Sequence, residues 1–369
     1  MSNFALVIGI NQYPHGADQQ PLFGAVSDAA DFAEWVLHPD GGNVPPDKLH
    51  VWTYPPAAAQ PGSRLSEFLA APTAWWNGAD VVPDPTRGPT VDEITETAEE
   101  AAKRAFAERQ NQQSESRLFI FFAGHGVQGK TQTDLEPQTC FLANDYQGQV
   151  NRIRGLVPAN DLRIAMLAQG FSEVFMFLDC CRLNLVRSNA VVQSLNFNRA
   201  PSPDDVRWGA GFAADRNSVA WETPDPNPTR GAFSKILIEG LRRVRDANNT
   251  LTAYALEDYV ANRIEAVVHP RKQRPLFTGD PGLRALILAN GPPIQLGSED
   301  VVINLGGLPA GTQVFLKDAN GIVLSTFPAG PVDRRIALEV GRLYSLETAD
   351  GSVEKGFLHG DDGDRRVDL

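Results

Sequence analysis

Two apolar runs constrain what this chain can fold into. Leu118-Phe119-Ile120-Phe121-Phe122-Ala123 leads into Gly124-His125-Gly126, and Val174-Phe175-Met176-Phe177-Leu178 leads into Asp179-Cys180-Cys181-Arg182. Each run is short, continuous, and rich in aromatic and β-branched residues, and each is stopped by turn-forming or polar residues. Strands of that kind are covered on both faces, as in parallel sheets flanked by helices. Open α/β sheets carry their chemistry just beyond the carboxyl ends of their strands. The sequence therefore predicts an α/β fold that delivers an imidazole and a thiol to one rim.

Other segments fit the same class. Phe4 to Ile10 reads as a buried first strand. Ala25 to Leu37 has helical period, with Ala29, Phe32, Ala33 and Val36 on one face. His50 to Tyr54 reads as a second strand. Residues 55–90, rich in Pro, Ala and Gly, read as an insertion with a short helix from Leu65 to Ala71. Thr90 is placed to cap a long helix to Gln110, and Asp92, Glu93 and Glu96 suit its positive end. Phe141 to Ala143 reads as a strand and Asp161 to Leu167 as a helix. Residues 183–217, with Arg187, Arg199, Arg207 and Arg216, show no period and read as a long loop. Beyond it the pattern predicts a strand at Ser218 to Trp221, helices at Gly231 to Val244 and Leu256 to Val268, and a last strand at Arg284 to Leu288.

Composition changes at Gly291-Pro292-Pro293. Six short alternating segments follow: Val301 to Leu305, Thr312 to Lys317, Ile322 to Phe327, Arg335 to Glu339, Leu343 to Thr348 and Val353 to Leu358. Turns such as Asp350-Gly351 divide them, which predicts a small β-sandwich. The expected division is a catalytic unit over 1–291 and a sandwich-like unit over 296–369.

The 369 residues carry a net charge of −12, which argues against nucleic-acid binding and weakly favours a cationic substrate or partner. The three cysteines, Cys140, Cys180 and Cys181, do not form a disulfide framework. No leader segment or membrane-length apolar run is visible. These features suit a reducing, cytoplasmic setting. The adjacency of Cys180 and Cys181 is poor for a tetrahedral zinc site, so no metal or cofactor is expected. Asp204-Asp205 and Asp361-Asp362-Gly363-Asp364 read as solvated loop and tail charges.

A thiol attacks a carbonyl as its thiolate, and a neighbouring imidazole supplies the base and then the acid for the leaving amine. Gly126 lets its backbone N–H approach a substrate carbonyl, and the N–H of Cys181 is a second candidate oxyanion donor. Taken singly, Gly-His-Gly reads as a turn and a buried cysteine as a small hydrophobe. Two strands with matched reactive endings favour catalysis. Alternation along the second strand turns one of Cys180 and Cys181 to the rim and the other to the core.

These motifs resemble those of the caspase-like cysteine peptidases, in the metacaspase and prokaryotic caspase branch. The resemblance runs through Ala5-Leu6-Val7-Ile8-Gly9-Ile10-Asn11-Gln12-Tyr13, Leu22-Phe23-Gly24-Ala25-Val26-Ser27-Asp28-Ala29, Phe121 to Gly126, Phe177 to Arg182 and Gly231-Ala232-Phe233-Ser234. It spans roughly residues 4 to 290. It implies a mostly parallel sheet between helices, His125 as general acid/base, and Cys181 rather than Cys180 as nucleophile. It also implies a primary pocket lined by Asp28 and Asp179. Two carboxylates there would select arginine or lysine, although Asp28 equally suits the positive end of a helix.

Where many metacaspases carry His-Ser-Gly after the nucleophile, this chain has Arg182-Leu183-Asn184, so their activation scheme does not transfer. No loop has EF-hand spacing. The expected function is an endopeptidase acting on proteins after Arg or Lys. Its arginine-bearing loop is a candidate for self-cleavage, and its C-terminal unit is a candidate for binding an upstream activator. The resemblance implies a role in bacterial signalling, defence or regulated cell death. The alternatives are a catalytically silent scaffold and a peptidase with aspartate preference.

Overall fold

The computed structural model describes residues 1–15, 19–59, 62–70, 87–112, 115–132, 134–149, 152–184, 192–195, 206–223, 229–282, 285–294, 298–339, 342–359 and 366–369. Arg187, Arg199, Asp204-Asp205, most of the insertion before Arg87, and Asp361-Asp362-Gly363-Asp364 lie outside the described residues. In chain order the larger part runs β1 (Ser2–Ile10), α1 (Ala25–Leu37), β2 (Leu49–Tyr54), α2 (Arg64–Ala70), α3 (Val91–Gln112), β3 (Ser116–Ala123), β4 (Gly126–Gly129), β5 (Gln138–Gln149), β6 (Arg152–Pro158), α4 (Ala159–Gln169), β7 (Glu173–Asp179), β8 (Leu183–Asn184), β9 (Arg207–Phe212), α5 (Ala232–Arg243), β10 (Thr250–Thr252), α6 (Ala253–Ala261), α7 (Ile264–Val268), β11 (Leu276–Gly279) and β12 (Ile287–Asn290).

The main sheet has the order β11-β9-β7-β3-β1-β2, and every neighbouring pair is parallel except the edge pair β11 and β9. Both faces are apolar, which is why the predicted strands read as continuous runs. Val7, Phe119, Phe121, Phe175 and Phe177 pack under α1 and α5. Leu6, Ile8, Ile120, Phe122, Met176 and Leu178 pack on the other face, under α3 and α4. Phe32 of α1 stacks on Phe121 at 4.5 Å between ring centroids; truncating a buried phenylalanine to alanine costs about 3–5 kcal/mol. The capping of α3 is reciprocal: Thr90 Oγ1 accepts from the Glu93 N–H at 3.3 Å, and Glu93 Oε2 accepts from the Thr90 N–H at 2.8 Å.

Several expectations need correction. The segment 183–217 is not a loop throughout, because β9 pairs in parallel with β7 inside the main sheet. Its Gly209 and Gly211 hid the strand: a Cβ at Gly211 would lie 2.9 Å from the Phe277 ring, so only glycine lets β11 close on it. Ser218 to Trp221 is not a strand; a single bridge joins the next residue, Glu222, to Gly231. The helix at Leu256 to Val268 is two helices, α6 and α7, interrupted at Asn262 and Arg263. The last strand is Ile287–Asn290, with Arg284 outside the described residues, and it pairs with β10, outside the main sheet. A second sheet, β6-β5-β4-β8, was legible only in its Phe141 to Ala143 portion.

The C-terminal part forms β13 (Ser298–Asn304), β14 (Gln313–Asp318), β15 (Val323–Pro328), β16 (Arg334–Glu339), β17 (Arg342–Thr348), β18 (Glu354–His359) and β19 (Arg366–Asp368). They make two sheets, β16-β13-β19 and β15-β14-β17-β18, around a core of their own that includes Val301, Ile303, Leu316, Leu346 and Phe357. This part is tied to α5: Glu239 accepts from the Leu343 N–H, and Arg243 pairs with Glu339.

Candidate active site

Strand register places the predicted pair. In the main sheet Ala123 pairs with Asp179, and in the second sheet Val127 pairs in parallel with Leu183. Both pairings have the same offset, 56 positions, that separates His125 from Cys181. The two residues therefore stand opposite each other in the bend where the chain leaves one sheet for the next. A hydrogen bond from the Gly124 N–H to the Asp179 carbonyl, 3.1 Å, continues the ladder toward them. Gly126 permits the approach: a Cβ there would lie 2.5 Å from Cys180 Sγ and 2.8 Å from the Cys181 carbonyl oxygen.

His125 is held at two points. Its backbone N–H donates to the Tyr13 hydroxyl at 2.9 Å, and Nε2 lies 2.7 Å from the Gln20 carbonyl oxygen. A carbonyl only accepts, so Nε2 carries a proton, and in the neutral ring the lone pair is on Nδ1. Tyr13 also packs against the imidazole, with ring centroids 5.2 Å apart.

Cys180 is 2% exposed and belongs to the core under α3 and α4. Cys181 is half-buried, and its thiol donates to the Ala220 carbonyl at 3.7 Å. Burial pushes both thiols up, and the Asp179 carboxylate adds to the effect on Cys181. The Cys181 thiol therefore rests protonated, and a base must take its proton before attack.

A cluster of carboxylates lies beside this pair. Asp179 ends β7, and its Oδ2 accepts from the Ser234 N–H at 2.9 Å. Asp28 sits in the first turn of α1, and its Oδ2 accepts from the Gly231 N–H at 2.8 Å. Asp28 and Asp179 converge on one glycine, for a Cβ on Gly231 would fall 2.1 Å from Asp179 Oδ2 and 2.8 Å from Asp28 Oδ2. Burial raises both carboxyls, Asp28 to about 7 and Asp179 to about 6, against the opposing pull of Arg230.

The sequence did not indicate Arg230, Glu222, Tyr13 or Gln20. Arg230 Nε donates to Asp28 Oδ1 at 2.6 Å, and its Nη2 lies 2.6 Å from Asp31 Oδ2. Glu222 Oε1 accepts from the N–H groups of Phe23 and Gly24, at 2.7 and 2.6 Å, and its charge helps raise Asp179. The available signal for Arg230 was a lone cation just before Gly231-Ala232-Phe233-Ser234. Arg182, the basic residue next to Cys181, turns into the structure: Nε donates to Thr139 Oγ1 at 2.9 Å and Nη1 to the Ala214 carbonyl at 3.0 Å. Of the loop arginines that are described, Arg207 pairs with Glu173 and Arg216 with Glu136. Among the described residues, no group of three or more His, Cys, Asp and Glu side chains is placed to hold a metal. No described helix is long and apolar enough to cross a membrane.

The profile of the peptidase C14 caspase domain matches residues 2–281. The chain belongs to the caspase-domain peptidase family. The mostly parallel sheet between helices lies within the residues that match. A probable protease of a Desulfuromonadales bacterium is 25% identical over 371 residues, a match covering 95% of this chain and 41% of that protein. This chain thus spans less than half of that relative's length, and the match extends past the caspase domain into the C-terminal strands. Among solved structures, a Geobacter sulfurreducens protein aligns with TM-score 0.45 and 14% identity, over 80% of this chain and 99% of that one. Caspase-1 of Spodoptera frugiperda aligns with TM-score 0.45 and 15% identity, over 79% of this chain and 90% of that one.

Proposed function

We propose that this caspase domain is a cysteine endopeptidase that cuts proteins or peptides after arginine or lysine, with His125 and Cys181 as its dyad. The observation that carries the reading is the shared register, which sets His125 opposite Cys181, with the Asp179 carboxyl two residues before the thiol. When a substrate carbonyl arrives, His125 Nδ1 takes the Cys181 proton and Sγ forms a bond to the carbonyl carbon. The N–H groups of Gly126 and Cys181 receive the oxyanion. The intermediate collapses as His125 returns the proton to the leaving amine. Water, deprotonated by the same imidazole, then hydrolyses the thioester and releases the acid and the thiol.

A buried anionic cluster around Asp179 favours a guanidinium or ammonium side chain in the primary pocket. Against the alternative of aspartate preference, the guanidinium next to the nucleophile, that of Arg182, is committed to Thr139 and Ala214. Division near Gly291-Pro292-Pro293 into a peptidase unit (1–291) and a C-terminal unit (296–369), the latter binding an activator or other protein, belongs to the same proposal. So do a cytoplasmic site of action, self-cleavage in the loop after Cys181, and a role in bacterial signalling or defence. Fluorogenic peptides with Arg, Lys or Asp before the cleaved bond test the core of it. Arginyl and lysyl peptides are expected to be cut, Cys181→Ala to abolish cutting, and Cys180→Ala to preserve it. Activity that survives in Cys181→Ala and is lost in Cys180→Ala moves the nucleophile; cleavage after Asp alone overturns the pocket.

A further inference from the structure

We propose that Arg230 acts as a built-in counter-ion that removes Asp28 from substrate recognition, so that the substrate cation is received by Asp179 and Glu222. This rests on the arginine- and lysine-directed reading above and changes which carboxylates carry it.

Asp28 is spent within the fold. It is 1% exposed, its Oδ1 accepts from Arg230 Nε, and its Oδ2 accepts from the Gly231 N–H. Arg230 is itself 5% exposed and bridges to Asp31, which Arg242 also reaches at 3.3 Å. This guanidinium is held between two carboxylates of one helix, and a substrate guanidinium would have to evict it to reach Asp28. Eviction would cost a buried arginine one of its two carboxylate partners, an unfavourable outcome for a buried ion pair.

Asp179 and Glu222 are differently placed. Asp179 keeps 7% exposure, and its Oδ2 accepts from the Ser234 N–H. Glu222 is half-buried; Oε1 takes two backbone N–H groups, while Oε2 has no hydrogen-bond partner among the described residues. Glu222 lies two residues after Ala220, whose carbonyl accepts from the Cys181 thiol. The segment that touches the thiol thus also carries the Glu222 carboxylate, whose charge acts on Asp179. The two together make a fork that accepts a guanidinium from the thiol side, with the Arg230–Asp28 pair as its floor.

Steady-state kinetics of the full chain on an arginyl peptide at pH 8 test this. Glu222→Gln is expected to raise KM tenfold or more while kcat changes less than threefold, the signature of lost binding rather than lost chemistry. Asp28→Asn, in which Arg230 keeps Asp31, is expected to raise KM less than threefold. An Asp28→Asn effect on KM equal to that of Glu222→Gln overturns the proposal. If Asp28→Asn does not fold, the double variant Asp28→Asn/Arg230→Gln replaces the ion pair by amides of similar size; a tenfold rise in KM there overturns the proposal equally, and a rise below threefold supports it. Wild-type protein that cleaves peptides but neither arginyl nor lysyl ones overturns the specificity reading together with this refinement. Cleavage of arginyl peptides with the opposite ranking of the two variants overturns the refinement alone.

Discussion

Replacing Asp179 by asparagine removes a charge and keeps a shape. In the folded chain burial pushes this carboxyl from its ordinary 3.8 up to about 6, outweighing the Ser234 hydrogen bond and Arg230. The folded state therefore binds the proton more tightly than the unfolded chain does. Stability from this group is present below pH 3.8 and is lost as pH rises through about 6. At about 1.4 kcal/mol per pKa unit, the loss is on the order of 3 kcal/mol. Asparagine, neutral at every pH, escapes that loss, since the pull of the Ser234 hydrogen bond on the charged form is already contained in the net shift. At pH 8 Asp179→Asn should therefore melt a few degrees above wild type, and near pH 4 the two should melt together.

Activity should move the other way. A charge-assisted bond to a substrate guanidinium is worth about 1.5–3 kcal/mol, which is roughly 10- to 150-fold in kcat/KM. In wild type about one tenth of Asp179 is ionised at pH 5 and about nine tenths at pH 7, so KM for an arginyl peptide should fall as pH rises through 6. KM is the quantity to follow, since deprotonation of the raised Cys181 thiol gives kcat a pH dependence of its own. The assay pairs an arginyl peptide with its citrulline counterpart, which has the same shape and no charge, across pH 5 to 8, alongside thermal melts. A wild-type KM flat over that range, or an Asp179→Asn variant that melts below wild type at pH 8, would refute the reasoning.

Other residues give sharper single outcomes. Gly126→Ala puts a Cβ within 2.8 Å of the Cys181 carbonyl and within 2.7 Å of both Cys180 side-chain atoms, so the strand ends must part; kcat should fall about 100-fold or more in a protein whose circular dichroism is unchanged. Tyr13→Phe takes the acceptor from the His125 N–H; kcat should fall about tenfold with KM unchanged, consistent with the roughly 1–3 kcal/mol cost of a buried donor left unpaired. Glu239→Ala strips the buried Leu343 N–H of its acceptor; the full chain should lose about 1–3 kcal/mol on denaturant melts, with faster proteolysis between the caspase domain and the C-terminal strands.

The sheet was legible because a parallel strand needs apolar residues on both faces, and Phe119 to Phe122 and Val174 to Leu178 have them at every position. Ala25 to Leu37 was legible to the residue, since one apolar stripe repeats at helical spacing over its whole length. The strands that flank the site were not. Gly126–Gly129 and Leu183–Asn184 are too short to show a period, and Arg207–Phe212 spends two of its six positions on glycine. Asp28 offered two readings in the sequence, a pocket wall or a helix-end anion. Its position in the first turn of α1 satisfies the second, while its deciding partner, Arg230, stands 202 residues away and follows no local pattern.

The same contrast explains how the site is kept in order. Alternation along β7 sends Phe175 and Phe177 toward α1 and α5, and Asp179, the next residue of that phase, toward the same side. An aspartate there would be costly without donors, and the first turn of α5 supplies one, through Ser234, with Gly231 doing the same for Asp28. Farther along α5, Glu239 and Arg243 grip the C-terminal strands. A single 12-residue helix thus meets the carboxylates at its N-terminal end and the C-terminal part through its later turns. Hydrogen-bonded α-helix is stiff along its axis, so the position of α5 fixes Asp28 and Asp179 together. The strand register fixes His125 against Cys181 independently of α5. Changes at Glu239 should therefore reach KM before they reach kcat, because the helix touches the carboxylates and leaves the proposed dyad to the sheet.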